Sequence, residues 1–210
     1  MSKHCPLCGS HELYPIEGRT PDYYRCRQCL TVHLASEHHL TPEDEKAIYD
    51  THQNDPADVG YQTFLNRSFE QITQRILPPA CGLDFGCGPG PALIQMAEQH
   101  GYQMQGYDKF YADSPEVLNR QYDFITCTEV VEHLAEPLAI LDQLWAITRP
   151  GGLLVIQTKR VLDDTRFLTW HYVNDPTHIT FFSETAFRWL ADRWQSQVEF
   201  PHNDVVVLKK

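Results

Sequence analysis

The 210-residue sequence has no apolar run near the roughly 18 residues that a membrane-spanning helix requires; its longest stop at stretches such as Leu153 to Ile156. It opens on Lys3, His4 and Cys5 and not on a basic segment followed by an apolar one, so no secretory signal and a cytoplasmic home are expected. Positive charge is scarce: 17 Lys and Arg stand against 28 Asp and Glu, a formal charge of -11. Residues 1 to 40 are balanced, with Lys3, Arg19, Arg25 and Arg27 against Glu12, Glu17, Asp22 and Glu37. The deficit therefore falls on residues 41 to 210, the wrong sign for a body that would hold a long nucleic acid by neutralising phosphates. Repeats and low-complexity tracts are missing, and 42% hydrophobic with 21% charged residues excludes a disordered, collagenous or coiled-coil chain. At about 150 residues per domain, the length allows one domain and a small appendage.

What the sequence does have is seven cysteines, which a reducing compartment turns away from disulfides and toward metal. Four fall as Cys5-x2-Cys8 and Cys26-x2-Cys29, and each pair brackets a tight turn in which two thiolates converge. Thiolates are preferred ligands of structural zinc, which closes a tetrahedral site without an open position for chemistry. Short strands at His11 to Ile16 and Pro21 to Cys26, turning at Gly18-Arg19, complete a zinc ribbon over residues 1–40. So short a segment buries too little apolar surface to fold alone, and the metal would supply its folding energy. Four unrelated reduced thiols are the alternative. His33, His38 and His39 are expected as surface histidines. Cys81, Cys87 and Cys127 are expected as small buried residues.

Residues 41–78 are expected to form a helical connector or lid, with Tyr49, His52, Asn54 and Tyr61 as candidate cover residues and a helix from Leu65 to Leu77 closed by Pro78-Pro79. From residue 79 to 210 strands alternate with helices: strands at Cys81–Phe85, Gln103–Tyr107, Asp123–Thr128 and Leu153–Thr158, helices at Ala92–Gln99 and Pro137–Thr148. That order predicts an α/β fold with a Rossmann-like parallel sheet covered on both faces. Gln197–Phe200 and Val205–Leu208 should add an antiparallel hairpin at the end.

The turn after the first of these strands reads Asp84-Phe-Gly86-Cys87-Gly88-Pro-Gly90, which lets backbone approach a ligand closely. The second strand ends in Asp108, placed to accept both hydroxyls of a ribose. The glycine spacing differs from the Gly-x-Gly-x-x-Gly of dinucleotide enzymes, and no hydride-transfer constellation is evident, which disfavours an NAD-dependent oxidoreductase. The Asp84 to Gly90 run resembles the first motif of class I S-adenosylmethionine-dependent methyltransferases. Tyr122 to Leu134, with Glu129, Glu132 and His133, resembles that family's fourth-strand segment, and Arg149-Pro-Gly-Gly resembles its turn into the fifth. The resemblance implies that Asp84, Gly86, Cys87, Gly88, Gly90, Asp108, Thr128 and Glu129 bind S-adenosylmethionine, with Phe110, Tyr111 and Thr128 as candidates for the adenine. One departure is the short interval from Asp108 to Asp123, which leaves room only for a minimal third strand, Glu116 to Leu118.

The polar and aromatic stretch Lys159 to His178 is longer than a mere connection requires. Its Trp170-His171-Tyr172-x-x-Asp175-Pro-Thr-His178 string resembles a bacterial subgroup that also carries an N-terminal cysteine ribbon. The resemblance implies a small-molecule methyl acceptor framed by this loop. Since the sulfonium already makes its methyl electrophilic, the protein chiefly aligns and desolvates the reactants. A hydroxyl acceptor must also lose a proton, for which His178 is the first candidate, with His171 and His133 beside it. Glu129, Glu132, His133 and His178 further resemble the magnesium site of ubiquinone-pathway O-methyltransferases and of small-RNA 3′-end methyltransferases. A metal-free reading, with Glu132 as a helix cap and His133 packed beside the cofactor, stays open. A second function class also stays open: an inactive cofactor-binding adaptor whose ribbon docks a protein partner.

Overall fold

The computed structural model describes residues 4–51 and 55–210. Its main sheet has six strands: β4 (Cys81–Phe85), β5 (Gln103–Tyr107), β6 (Tyr122–Thr128), β7 (Thr148–Gln157), β9 (Gln197–His202) and β10 (Val205–Lys209), in the order β5-β4-β6-β7-β10-β9. The first four are mutually parallel. The terminal hairpin enters antiparallel, with β10 slotted between β7 and β9.

Alternation along the central strands supplies two cores. Leu154 and Ile156 of β7 with Val206 and Leu208 of β10 face α4 (Pro137–Ile147) and α6 (Glu184–Trp194). Leu153, Val155, Val205 and Val207 face the other way, onto α2 (Val59–Thr73) and α3 (Ala92–Gln99). Helices on both faces of a parallel-rich sheet make the Rossmann-like architecture that the sequence predicts.

The expected helix over residues 65–77 differs at both ends. It begins at Val59, because the Asp58 side chain accepts the Tyr61 backbone N–H at 2.6 Å, and it ends at Thr73, short of the Pro78-Pro79 pair expected to close it. The minimal third strand at Glu116 to Leu118 is not formed. Residues Pro115–Asn119 make a 3-10 turn opened by its proline, and the sheet ends at β5. The few residues between Asp108 and Asp123 cannot carry both a crossover and a strand.

A second, smaller sheet has the order β1-β2-β3-β8, built from β1 (Leu13–Pro15), β2 (Tyr23–Cys26), β3 (Val32–Leu34) and β8 (Thr180–Phe181). The β1-β2 hairpin is the ribbon expected around Gly18, but the sheet continues antiparallel from β3 onto β8, far along the chain. Ile16, Tyr23, Val32 and Leu34 share a core with Val161, Phe167, Tyr172, Val173 and Phe181. The ribbon's apolar face is thus consumed against the loop after β7, which includes α5 (Asp164–Thr169). His33 is buried at 3% exposure, contrary to the surface placement expected of it, because its neighbours on β2 and β8 enclose β3. Of the later cysteines, Cys127 is fully buried, while Cys81 and Cys87 are partly so. Among the described residues no helix is long and apolar enough to cross a membrane.

Candidate active site

The parallel strands all end on one side, and the residues just beyond them gather there: Gly86 after β4, Asp108 after β5, Glu129 after β6 and Thr158 after β7. The first three open onto a cavity of about 570 Å³, within the size range of small-ligand sites, with Thr158 behind its wall. Asp84, Gly86, Cys87, Gly88, Gly90, Asp108, Thr128, Glu129, His133 and His178 all line it. His171 does not; it lies exposed, with its Nε2 3.1 Å from Lys159 Nζ.

The glycine loop is required sterically. Gly86 and Gly88 have φ of 80° and 61°, and a Cβ on Gly86 would stand 2.2 Å from Val130 Cγ2. Asp108 fixes the loop from the next strand, accepting the Gly88 N–H at 3.1 Å on one oxygen and those of Phe110 and Tyr111 at 2.8 and 3.2 Å on the other. Asp84 is only 5% exposed and accepts Thr126 Oγ1–H at 2.7 Å. Burial, partly offset by that bond, pushes its carboxyl up to about 6, and the charge of Asp108 adds to the rise. Such a carboxylate is poised to receive a cationic ligand group.

A cover over the cavity comes from α1 (Pro42–Tyr49), capped by Thr41 and tied to the loop after β5. Glu45 pairs with Lys109 at 2.8 Å, and Tyr111 Oη–H donates to Asp50 at 2.7 Å. Tyr49 and Tyr61 line the cavity, while His52 and Asn54 lie outside the described residues. The Tyr49 ring meets His133 edge-on at 5.3 Å and Phe110 at 5.9 Å.

On the other wall, Glu129, Glu132 and His133 do not share one α-helical face. Glu129 is left-handed at φ 51°, and a 3-10 turn covers only Val131–His133. The ligand atoms of Glu132, His133 and His178 still lie within 4.8 Å of one another. His133 Nδ1–H donates to the Thr177 carbonyl at 3.0 Å, and His178 Nδ1–H to that of Tyr172 at 2.7 Å, which leaves each Nε2 as the ring's lone pair. Burial first and then the neighbouring His178 push His133 down to about 3. Burial raises Glu129 to about 7, and burial together with the Glu129 charge drives Glu132, at 0% exposure, well above the usual range. Buried oxygens without a hydrogen-bond partner concentrate here: Thr128 Oγ1, Glu129 Oε1, Glu132 Oε2 and Gln157 Oε1. Asp175, which sequence reasoning did not single out, also lines the cavity and lies 3.8 Å from His178 Nε2.

The four ribbon sulfurs, Cys5, Cys8, Cys26 and Cys29, lie within 4.8 Å of one another, with two pairs at 3.5 Å. A tetrahedral ion with bonds of about 2.3 Å needs sulfurs roughly 3.8 Å apart, so the cluster fits a metal ion.

A parallel sheet with a glycine loop after one strand and a carboxylate after the next is the arrangement of nucleoside-cofactor sites in doubly wound α/β folds. The chain belongs to the methyltransferase domain family, whose sequence profile matches residues 61–198. The ubiquinone biosynthesis O-methyltransferase of Xanthomonas campestris pv. campestris is 29% identical over 109 residues, covering 39% of this chain and 44% of that protein. The chain thus spans less than half the length of that relative. A SAM-dependent methyltransferase from Archaeoglobus fulgidus matches with a TM-score of 0.55 at 14% identity, covering 71% of this chain and 94% of the other. Magnesium protoporphyrin IX methyltransferase from Synechocystis, solved with bound SAM, matches at 0.52 and 15% identity, covering 81% and 91%. These two likenesses show the fold.

Proposed function

We propose that the protein is an S-adenosylmethionine-dependent methyltransferase acting on a hydroxyl, or a carbon, of a small-molecule acceptor in the cytoplasm. The observation that carries this reading is one cavity lined at one end by Asp84, the Gly86 to Gly90 loop and Asp108, and at the other by Tyr49, His133, Asp175 and His178. The first end suits a cationic amino acid joined to a ribose, with Asp84 facing the ammonium and Asp108 the two hydroxyls. Residues of the second end would bring an acceptor oxygen into line with the methyl carbon and exclude water from it. His178 is the group we assign to the acceptor proton, with its Nδ1 tied to a carbonyl and its Nε2 beside Asp175.

Two metal sites belong to the same proposal. Zinc in the Cys5, Cys8, Cys26 and Cys29 cluster would make residues 1–40 a structural ribbon, preceding a lid over 41–78 and a catalytic body from 79. In a metal-bound form, a magnesium-type divalent ion would be held by Glu129, Glu132, His133 and His178, and the His178 Nε2 would then serve as a ligand in place of its role as base. The orphaned carboxylate oxygens and the two carbonyl-oriented imidazoles support it. When bound, such an ion would lower the pKa of an acceptor hydroxyl.

Calorimetric titration with S-adenosylhomocysteine and with NAD tests the cofactor assignment. Tight binding of the first and none of the second is expected; the reverse would overturn it. A methyl-transfer screen across phenol, sugar and lipid hydroxyls then identifies the acceptor class.

A further inference from the structure

Tyr172 touches three of the four side chains assigned above to a divalent ion. Its hydroxyl, which has one proton to give, lies 3.1 Å from Glu129 Oε2 and in hydrogen-bond contact with Glu132 Oε1, while its backbone carbonyl accepts the Nδ1–H of His178 at 2.7 Å. Thr158 Oγ1 stands 3.3 Å from the same hydroxyl, and the Tyr172 and His178 rings pack with centroids 4.1 Å apart. Tyr172 is itself buried, in the core shared by the ribbon and the loop after β7, so its place is fixed from behind.

The consequence for the two carboxylates is asymmetric. One oxygen of each is pinned by the tyrosine hydroxyl, and the other, Glu129 Oε1 or Glu132 Oε2, is buried with no partner. Metal-ligating carboxylates and imidazoles are commonly held in this manner by an outer group that bonds the atom not facing the ion. We propose that Tyr172 is the positioning residue for a divalent cation at Glu129, Glu132 and His178, holding two ligands through its hydroxyl and the third through its carbonyl. The inference rests on the divalent-ion reading of this wall. It also assigns a role to the one phenol in the Trp170-His171-Tyr172 run that reaches both glutamates.

The test is Mn²⁺ titration of the full chain, monitored by the paramagnetic resonance signal of the free ion, for the unmodified protein, Y172F and E132Q. S-adenosylhomocysteine affinity is measured on the same samples. The proposal expects one Mn²⁺ site per chain, lost in E132Q and weakened about 10- to 100-fold in Y172F. Cofactor-product affinity should fall much less than Mn²⁺ affinity in Y172F, because Tyr172 reaches the cavity only through Glu129 and His178. A merely structural role would move both affinities together. Equal Mn²⁺ affinity in Y172F and the unmodified protein would overturn the positioning role while leaving the ion in place. Failure of the unmodified protein to bind Mn²⁺ would overturn the ion reading itself and the inference with it. Should Y172F not fold, T158V removes the second hydroxyl that fixes the tyrosine. A severalfold weakening then supports the proposal, and unaltered affinity overturns it.

Discussion

The Arg25 guanidinium, buried in the ribbon, lies 2.9 Å from the Asp164 carboxylate at the start of α5, and its Nη1–H donates to the Leu162 carbonyl at 3.2 Å. Ribbon and acceptor-side loop are therefore one mechanical unit. Replacing Arg25 by Ala leaves a half-buried carboxylate and a void in the shared core, and a loss of about 2 kcal/mol is expected. The loop should suffer first: turnover should fall more than S-adenosylhomocysteine affinity, as steady-state kinetics and calorimetry on one variant can check.

Metal analysis of the purified protein should find about one zinc per chain. C26S, or extraction with a strong thiolate-competing chelator, should remove it and lower the melting temperature, since the thiols alone supply no tie between the two knuckles. Metal-free protein with an unchanged melting temperature would refute the tetrathiolate assignment.

Asp84 sets a pH dependence for the ligand-free protein. Its folded pKa of about 6 lies above the ordinary aspartate value of 3.8, so the folded state favours the protonated acid. Stability is then lost as pH rises from about 4 to about 6, by roughly 3 kcal/mol in all. D84N should abolish that decline and raise the melting temperature at pH 8 by several degrees, yet weaken S-adenosylhomocysteine binding at least tenfold. Thermal scans across pH, with and without the ligand, test both halves.

The two histidines of the loop should separate cleanly. H178A is expected to cut turnover by about 10² to 10⁴-fold. H171A, whose ring lies outside the cavity beside Lys159, should stay within about twofold. Full turnover in H178A would remove the base assignment.

The α1 cover offers a weaker, salt-sensitive effect. Glu45 pairs with a half-exposed Lys109, a contact worth at most about 1 kcal/mol. E45Q should speed S-adenosylhomocysteine release by no more than about fivefold at low salt, and the difference should vanish near 1 M salt. Stopped-flow release rates give the answer.

Local chemistry made much of this fold legible. The run Cys81–Phe85 with its glycines, the Asp108 terminus of β5 and the cysteine pairs each act through neighbours in sequence, and spacing together with the resemblance of the glycine run to a known motif pointed to them. The contacts that escaped are long-range. Nothing near Tyr172 in the chain announces that its hydroxyl meets glutamates forty and more residues away, nor that β3 pairs with β8. The burial of His33 escaped for the same reason. His171 and His178 look alike in sequence, but His171 opens a 3-10 turn and lies exposed, while His178, beyond that turn, lines the cavity. The strand expected at Glu116 failed differently: Pro115 and a short connection outweighed the two apolar residues Val117 and Leu118.

That missing strand has a consequence for how the protein tolerates change. With β5 as the border of the sheet, the segment from Lys109 to Gln121 joins the main core at Val117 and Leu118, while its stretch before Pro115 contributes nothing to that core. Its start is closed by the paired backbone bonds between Asp108 and Ala112, at 3.0 and 3.1 Å, so the Asp108 carboxylate is held independently of the residues beyond Ala112. A sheet border is where a strand and its crossover can be deleted or added without leaving buried polar groups unsatisfied. Extra residues grafted after Ser114 should leave cofactor binding intact, which makes this border the natural place to attach a reporter or a second domain.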